Sequence, residues 1–274
     1  MSSPLFNAVA DAVEYAAFES ETKLPDDVLR VLKRSYESET YPAARGEFEN
    51  IFENLKIASD KKVPICQDTG IFTIYITIPD NIPLTQEIYD AAAEGIKRAT
   101  KSVPLRPNAV NPITRVNTKN NCGDEIPSIH ITPAEKFTVT VLPKGAGSEN
   151  MSQIKMLLPS ETDKIADFVV QAVRDADAKP CPPIIVGVGI GGTFDKAASL
   201  SKEALLLPAD EMTEFEKDIC DKINALKIGA MGLGGDITAM AVKVKYAACH
   251  TASLPVAVNI QCWCCRRKTA EVKL

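Results

Sequence analysis

Apolar residues over the first sixty positions recur at helical spacing. Leu5, Val9, Val13 and Ala16 share one face, and Phe48, Ile51, Phe52 and Leu55 share another, at separations of three and four. Between them, Pro25-Asp-Asp27 sets a proline and two acids where a helix begins, and predicts a helix running towards Ser38. The period then changes. From Ile71 to Ile78, Phe72, Ile74, Ile76 and Ile78 alternate with Thr73, Tyr75 and Thr77, which predicts a strand closed by Pro79 and Pro83. A helix is predicted from Thr85 to about Thr100. A long polar loop follows, through Leu105-Arg-Pro-Asn108, Asn111-Pro112, Asn117, Asn120 and Asn121. Ser128 to Thr132 and Phe137 to Leu142 read as two strands of a hairpin across Pro133-Ala-Glu135.

The second half repeats both periods. Glu161 to Ala178 reads as a helix, as do Asp195 to Leu207 and Glu211 to Leu226. Ile184-Ile-Val-Gly-Val-Gly-Ile190 does not alternate, so it is predicted to be a buried, central strand. Thr238 to His250 is extended, Leu254-Pro255 interrupts it, and Val256, Val258 and Ile260 share a face whose phase Cys262 and Cys264 continue. No linker or internal repeat appears. The pattern predicts a single α/β (mixed α+β) domain over 1–274, with a helical layer over 1–60 packed on a mixed β-sheet that carries glycine-rich loops.

Composition narrows the function classes. At 45% hydrophobic and 24% charged residues the chain is an ordinary globular one, and a net charge of -5 argues against a nucleic-acid binder. Arg266-Arg267-Lys268 is too short a basic tract to change that. No apolar run reaches membrane-spanning length. Asp11, Glu14 and Glu19 interrupt the first twenty residues, so no secretory signal is expected and a cytoplasmic location is the default. In a reducing compartment the eight cysteines, at 66, 122, 181, 220, 249, 262, 264 and 265, are not expected to pair. Apart from Cys262 and Cys265, in Cys262-Trp-Cys-Cys265, none forms a C-x-x-C pair, so they are either packed in the core or gathered as ligands from separate segments.

Candidate chemistry centres on Val63-Pro-Ile-Cys-Gln-Asp-Thr-Gly70, a loop where a helical region hands over to a strand. Arg106 is an anion-binding candidate in the polar loop. Lys144-Gly-Ala-Gly-Ser-Glu-Asn150 offers backbone N–H groups after a strand, and Asp236 stands in Gly229-Ala-Met-Gly-Leu-Gly-Gly-Asp236 available for capping or metal work. Gly187, Gly189 and Gly192 satisfy G-x-G-x-x-G, with Asp210 placed as a ribose-binding acid, so a nicotinamide-dependent oxidoreductase is an alternative. Against it, those glycines lie inside the strand rather than in the turn after it.

Taken in order, Cys66-Gln-Asp-Thr-Gly70, Leu105-Arg106, Asn117-Thr118, Lys144-Gly-Ala-Gly-Ser148, Cys181-Pro-Pro183, Gly191-Gly-Thr193 and His250 followed by Cys262 resemble the alpha subunits of the iron–sulfur class I fumarate hydratases and the similar L-tartrate dehydratases. The resemblance implies a [4Fe-4S] cluster on Cys66, Cys181 and Cys262, with catalytic roles for Asp68 and His250. It also implies dicarboxylate binding by Gln67, Arg106, Gly147 and Ser148. Cys264 and Cys265 stand where relatives have other residues; the spacing from His250 favours Cys262 as the third ligand, and Cys264 shares its strand phase. One-chain relatives continue into a second domain that this chain does not encode. The implied partner is therefore a separate beta subunit, with an alpha–alpha contact in a heterotetramer. The implied reaction is hydration of fumarate to malate in the tricarboxylic acid cycle, or dehydration of tartrate.

Overall fold

The computed structural model describes residues 3–274. In chain order the elements are α1 (Pro4–Thr22), α2 (Asp26–Ser38), α3 (Pro42–Lys61), β1 (Ile71–Ile78), α4 (Gln86–Ser102), β2 (Ser128–Pro133), β3 (Thr138–Lys144) and α5 (Ala146–Glu149). They continue with β4 (Gln153–Leu157), α6 (Ile165–Ala176), β5 (Ile184–Ile190), α7 (Phe194–Ala204), α8 (Glu214–Asn224), β6 (Ala239–Tyr246), β7 (Leu254–Gln261) and β8 (Lys268–Glu271). They gather into two compact units built from interleaved stretches of chain. The first takes the segment ending at Pro25, Glu53–Ala146 and Arg266–Leu274; the second takes Asp26–Phe52 and Gly147–Cys265. The amino-terminal helices are shared out accordingly: α1 belongs to the first unit, whereas α2 and the start of α3 belong to the second.

The first unit is a four-stranded sheet in the order β2-β1-β3-β8. Phe72, Ile74 and Ile76 of β1 and Val139 and Val141 of β3 are buried in one core with Val9, Val13 and Ala16 of α1 and Ile88 and Ile96 of α4. Each such aliphatic side chain withdrawn from water contributes about 1.5–3 kcal/mol. The expected hairpin between β2 and β3 does not form. β1 lies between them, parallel to β2 and antiparallel to β3. Residues 134–137 connect the two, and an extended run of that length reaches about 13 Å, enough to step over one intervening strand. β1, with alternate positions fully buried, takes the interior place, and the half-buried β2 takes the edge.

The second unit has its own mixed sheet, β4-β7-β5-β6, so the predicted single sheet is two. β5 is wholly buried and interior, as its unbroken apolar run predicts. Val186, Val188, Val242, Val256 and Val258 share a core with α6 and α8. The other face of β5 receives α7. A Cβ on Gly187 would lie 2.1 Å from the Ser201 carbonyl oxygen and one on Gly189 2.1 Å from that of Ala197. These glycines seat a helix against a strand, and Asp210 accepts a hydrogen bond from Arg30 Nε at 2.6 Å. The fingerprint reading therefore loses two of its three glycines to helix packing and its acid to an ion pair.

Smaller departures have local causes. The helix expected from Glu161 begins as a 3-10 turn, Pro159–Lys164, kinked at Glu161 (φ -110°, ψ 25°), and becomes α-helical at Ile165. α8 starts at Glu214 because the Thr213 hydroxyl accepts from the Glu216 amide while the Glu216 carboxylate accepts from the Thr213 amide. Among the described residues no helix is long and apolar enough to cross a membrane.

Candidate active site

In the first unit the Cys66–Gly70 loop is tied down at Cys66, Asp68 and Gly70. α3 ends at Lys61, and the chain turns back so that the Ile65 N–H donates to the Glu21 carbonyl at 2.8 Å. The Asn54 amide donates to the Ile65 carbonyl at 2.9 Å. Cys66 is half-buried, and its Sγ accepts the Asp68 N–H at 3.4 Å. Asp68 is the corner piece. Its Oδ1 accepts from the Gly70 N–H and from Asn108 Nδ2, each at 2.9 Å, and its Oδ2 accepts from the Ala146 N–H at 2.8 Å. A carboxylate, which only accepts, is the side chain suited to three converging N–H donors.

That arrangement draws the loop against the turn after β3. A Cβ on Gly70 (φ +78°) would lie 2.4 Å from the Lys144 carbonyl, and one on Gly145 2.8 Å from Asp68 Oδ2. Both positions therefore need glycine for a close approach. The turn itself is α5, and its leading N–H, at Ala146, is occupied by Asp68 rather than offered to an outside anion. Gly147 is exposed and Ser148 is buried. Gln67 and Arg106 are exposed. The loop behind Arg106 is braced by asparagines: Asn121 Oδ1 accepts the Asn108 N–H at 2.6 Å, and Asn117 Nδ2 donates to the Pro107 carbonyl at 2.9 Å. Asn108, Asn111, Arg115, Asn117 and Asp124 help line a cavity of about 640 Å³ in this unit.

In the second unit two of the motif cysteines lie on adjoining stretches of main chain. Cys181 is exposed between Pro180 and Pro182 and holds φ at +54°, a conformation that non-glycine residues seldom adopt. Its carbonyl accepts the Trp263 N–H at 3.3 Å, so its main chain lies beside that of the residue following Cys262. Cys262 is half-buried just past the end of β7. His250 is exposed in the turn before β7, where its Nδ1 accepts the Ala252 N–H at 3.1 Å. In the neutral ring the proton is then carried on Nε2. Asp236 is not available: it accepts from Lys227 Nζ at 2.6 Å and from the Thr40 hydroxyl at 2.5 Å. These bonds, that of Lys227 first, hold its pKa down at about 2.

The cysteines divide by environment. Cys122 and Cys220 are buried, and desolvation pushes their thiols up to about 11 and about 12, which disfavours the thiolate that a metal needs. Cys264 and Cys265 are buried as well, while Cys66, Cys181 and Cys262 are all at least partly accessible, as is Cys249. Among the described residues no three His, Cys, Asp or Glu side chains converge as they would on a single metal ion. Thiolates that each take a different iron of a cube need not converge on one point. Cys66, Cys181 and Cys262 are thus each open enough to be reached by a ligand, whereas Cys122 and Cys220 are not.

Sequence reasoning passed over the groups that hold the first loop: Glu21, Asn54, Asn108 and Arg266. Arg266 is 1% exposed and Glu21 0%, paired through NH1 and Oε2 at 2.5 Å, and Arg266 NH2 donates to the Asp68 carbonyl at 2.9 Å. In sequence Arg266 stood in a short basic tract, and no periodicity marked it as buried.

The chain belongs to the fumarate hydratase (fumerase) family of hydro-lyases, whose model matches residues 10–271. More particularly, it is similar to the "Putative L(+)-tartrate dehydratase subunit alpha" of Methanocaldococcus jannaschii, 45% identical over 279 residues that cover 97% of this chain and 98% of that protein. It is also similar to the L(+)-tartrate dehydratase subunit alpha of Escherichia coli K12, 33% identical over 261 residues, 92% of this chain and 86% of that one.

Proposed function

We propose that this chain is the alpha subunit of an iron–sulfur hydro-lyase acting on a small hydroxy-dicarboxylate, with L(+)-tartrate as the first substrate. Family membership and the names of the relatives support the reaction class and the tartrate reading. The observation that carries the cofactor assignment is the Trp263–Cys181 hydrogen bond, which keeps two accessible motif cysteines on adjoining main chain. Cys66, Cys181 and Cys262 are the proposed ligands of a [4Fe-4S] cluster. With three thiolate ligands, such a cluster keeps one iron open to act as a Lewis acid on a substrate oxygen.

The remaining steps fall to side chains. Arg106 and Gln67, both exposed, would bind the substrate carboxylates, the guanidinium through a charge-assisted pair of N–H donors. Gly147 and Ser148 are proposed to bind substrate through their main chain. His250, with Nδ1 occupied by the Ala252 N–H, holds its proton at Nε2 and is the proposed donor to the departing hydroxyl. Asp68, whose carboxylate already accepts three N–H donors, serves by fixing the Cys66 loop in place. Removal of the α-proton is assigned to a separate beta subunit, which the name "subunit alpha" of the relatives supports. The assembly would be a heterotetramer with an alpha–alpha contact, in the cytoplasm.

Fumarate hydration to malate is the second reading, favoured by the description of the family model. Co-expression with the beta subunit under anaerobic conditions, followed by assays of oxaloacetate from L(+)-tartrate and of malate from fumarate, tests both. Turnover of tartrate well above fumarate supports the first reading. The reverse order supports the second, and turnover of neither contradicts the reaction class.

A further inference from the structure

We infer that Arg266, braced by Glu21, is a positioning residue for Cys66, and this rests on the proposed role of Cys66 as a cluster ligand. The main chain is held immediately before Cys66 and two residues beyond it, each time by groups far away in sequence. Before it, the Ile65 N–H donates to the Glu21 carbonyl at 2.8 Å and the Ile65 carbonyl accepts from Asn54 Nδ2 at 2.9 Å. Beyond it, the Asp68 carbonyl accepts from Arg266 NH2 at 2.9 Å. Glu21 appears on both sides, because its carboxylate holds the same guanidinium through NH1 at 2.5 Å.

The burial of this pair is what calls for a role. Glu21 is 0% and Arg266 1% exposed, and a buried ion pair stabilises a fold no better than apolar side chains of the same volume. What apolar side chains cannot do is bond two acceptors in fixed directions. The planar fork of arginine reaches a carboxylate and a main-chain carbonyl together, whereas a lysine ammonium is a single point of charge. With Ile65 and Asp68 both fixed, the thiol between them has little freedom of placement, and the Asp68 N–H is presented to its sulfur at 3.4 Å. A ligand that must meet a rigid cluster benefits from that preorganisation.

The test reads the thiol directly and needs no activity. The cluster-free chain is pulsed with iodoacetamide and each cysteine is followed by mass spectrometry, in the wild type and in Arg266→Lys. The variant is expected to raise alkylation of Cys66 roughly fivefold or more, as local opening does. The exposed Cys181 and Cys249 should change by less than about twofold, and buried Cys220 should stay protected. Should Arg266→Lys fail to fold, Asn54→Ala, which removes the hold on the Ile65 carbonyl alone, is expected to give the same selective rise. An unchanged Cys66 rate, or a rise shared by all cysteines, overturns the inference. Cluster reconstitution before the pulse separates the two ideas: if Cys66 is not protected by the cluster, the ligand assignment fails while the clamp is still judged on the cluster-free chain.

Discussion

Cys181 occupies a backbone conformation that disfavours any side chain by about 1–2 kcal/mol, and it does so exposed to solvent. Cys181→Gly is therefore predicted to leave the melting temperature of the cluster-free chain unchanged or slightly raised while abolishing iron binding. Cys220→Ser should do the opposite, costing about 1–3 kcal/mol through a buried hydroxyl without loss of iron. Asp68→Asn, which turns an amide N–H towards one of three N–H donors, should cost about 1–3 kcal/mol, read as a shift in the denaturation midpoint. Burial raises the pKa of Glu21 from 4.5 to about 7 against the pull of Arg266. Below pH 4.5 both folded and unfolded chains hold that proton. As pH rises to about 7 only the unfolded chain releases it, so stability is present at low pH and declines across this window by up to about 3 kcal/mol. Glu21→Gln should flatten that decline in urea titrations. Cys66 and Asp68 were legible in sequence as candidates. Their partners were not, because Asn108 and Ala146 reach Asp68 from 40 and 78 positions away.

Elements were easier to read than their arrangement. β1 and β5 announce themselves by strict alternation and by an unbroken apolar run, since burial on one face or on both dictates those patterns. Pairing carries no such mark. β2 and β3 are neighbours in sequence, yet both pair with β1 and not with each other. The glycines of β5 show how one local pattern can serve two physical ends. G-x-G-x-x-G can admit a phosphate or a helix, and here Gly187 and Gly189 admit α7. Gly187→Ala is predicted to force α7 away from β5 and to destabilise the chain by about 1–3 kcal/mol, seen as a lower melting temperature. If the glycine instead served a dinucleotide, the same substitution would weaken nucleotide binding in a chain of unaltered stability.

At the scale of the whole chain, the family match over residues 10–271 leaves little of the sequence unaccounted for, and relatives named as alpha subunits are matched across 98% and 86% of their lengths. The division into two units was not legible, because each unit is assembled from stretches that alternate along the sequence with no change of composition between them. Cys66 belongs to the first unit and Cys181 and Cys262 to the second. The most direct measurement is the iron and sulfide content of the protein purified without oxygen, beside Cys66→Ser, Cys181→Ser and Cys262→Ser. The account predicts about four irons and four sulfides per wild-type chain and a labile or absent cluster in each variant. Full, stable iron in any one of the three, or a wild-type chain that binds none, contradicts it.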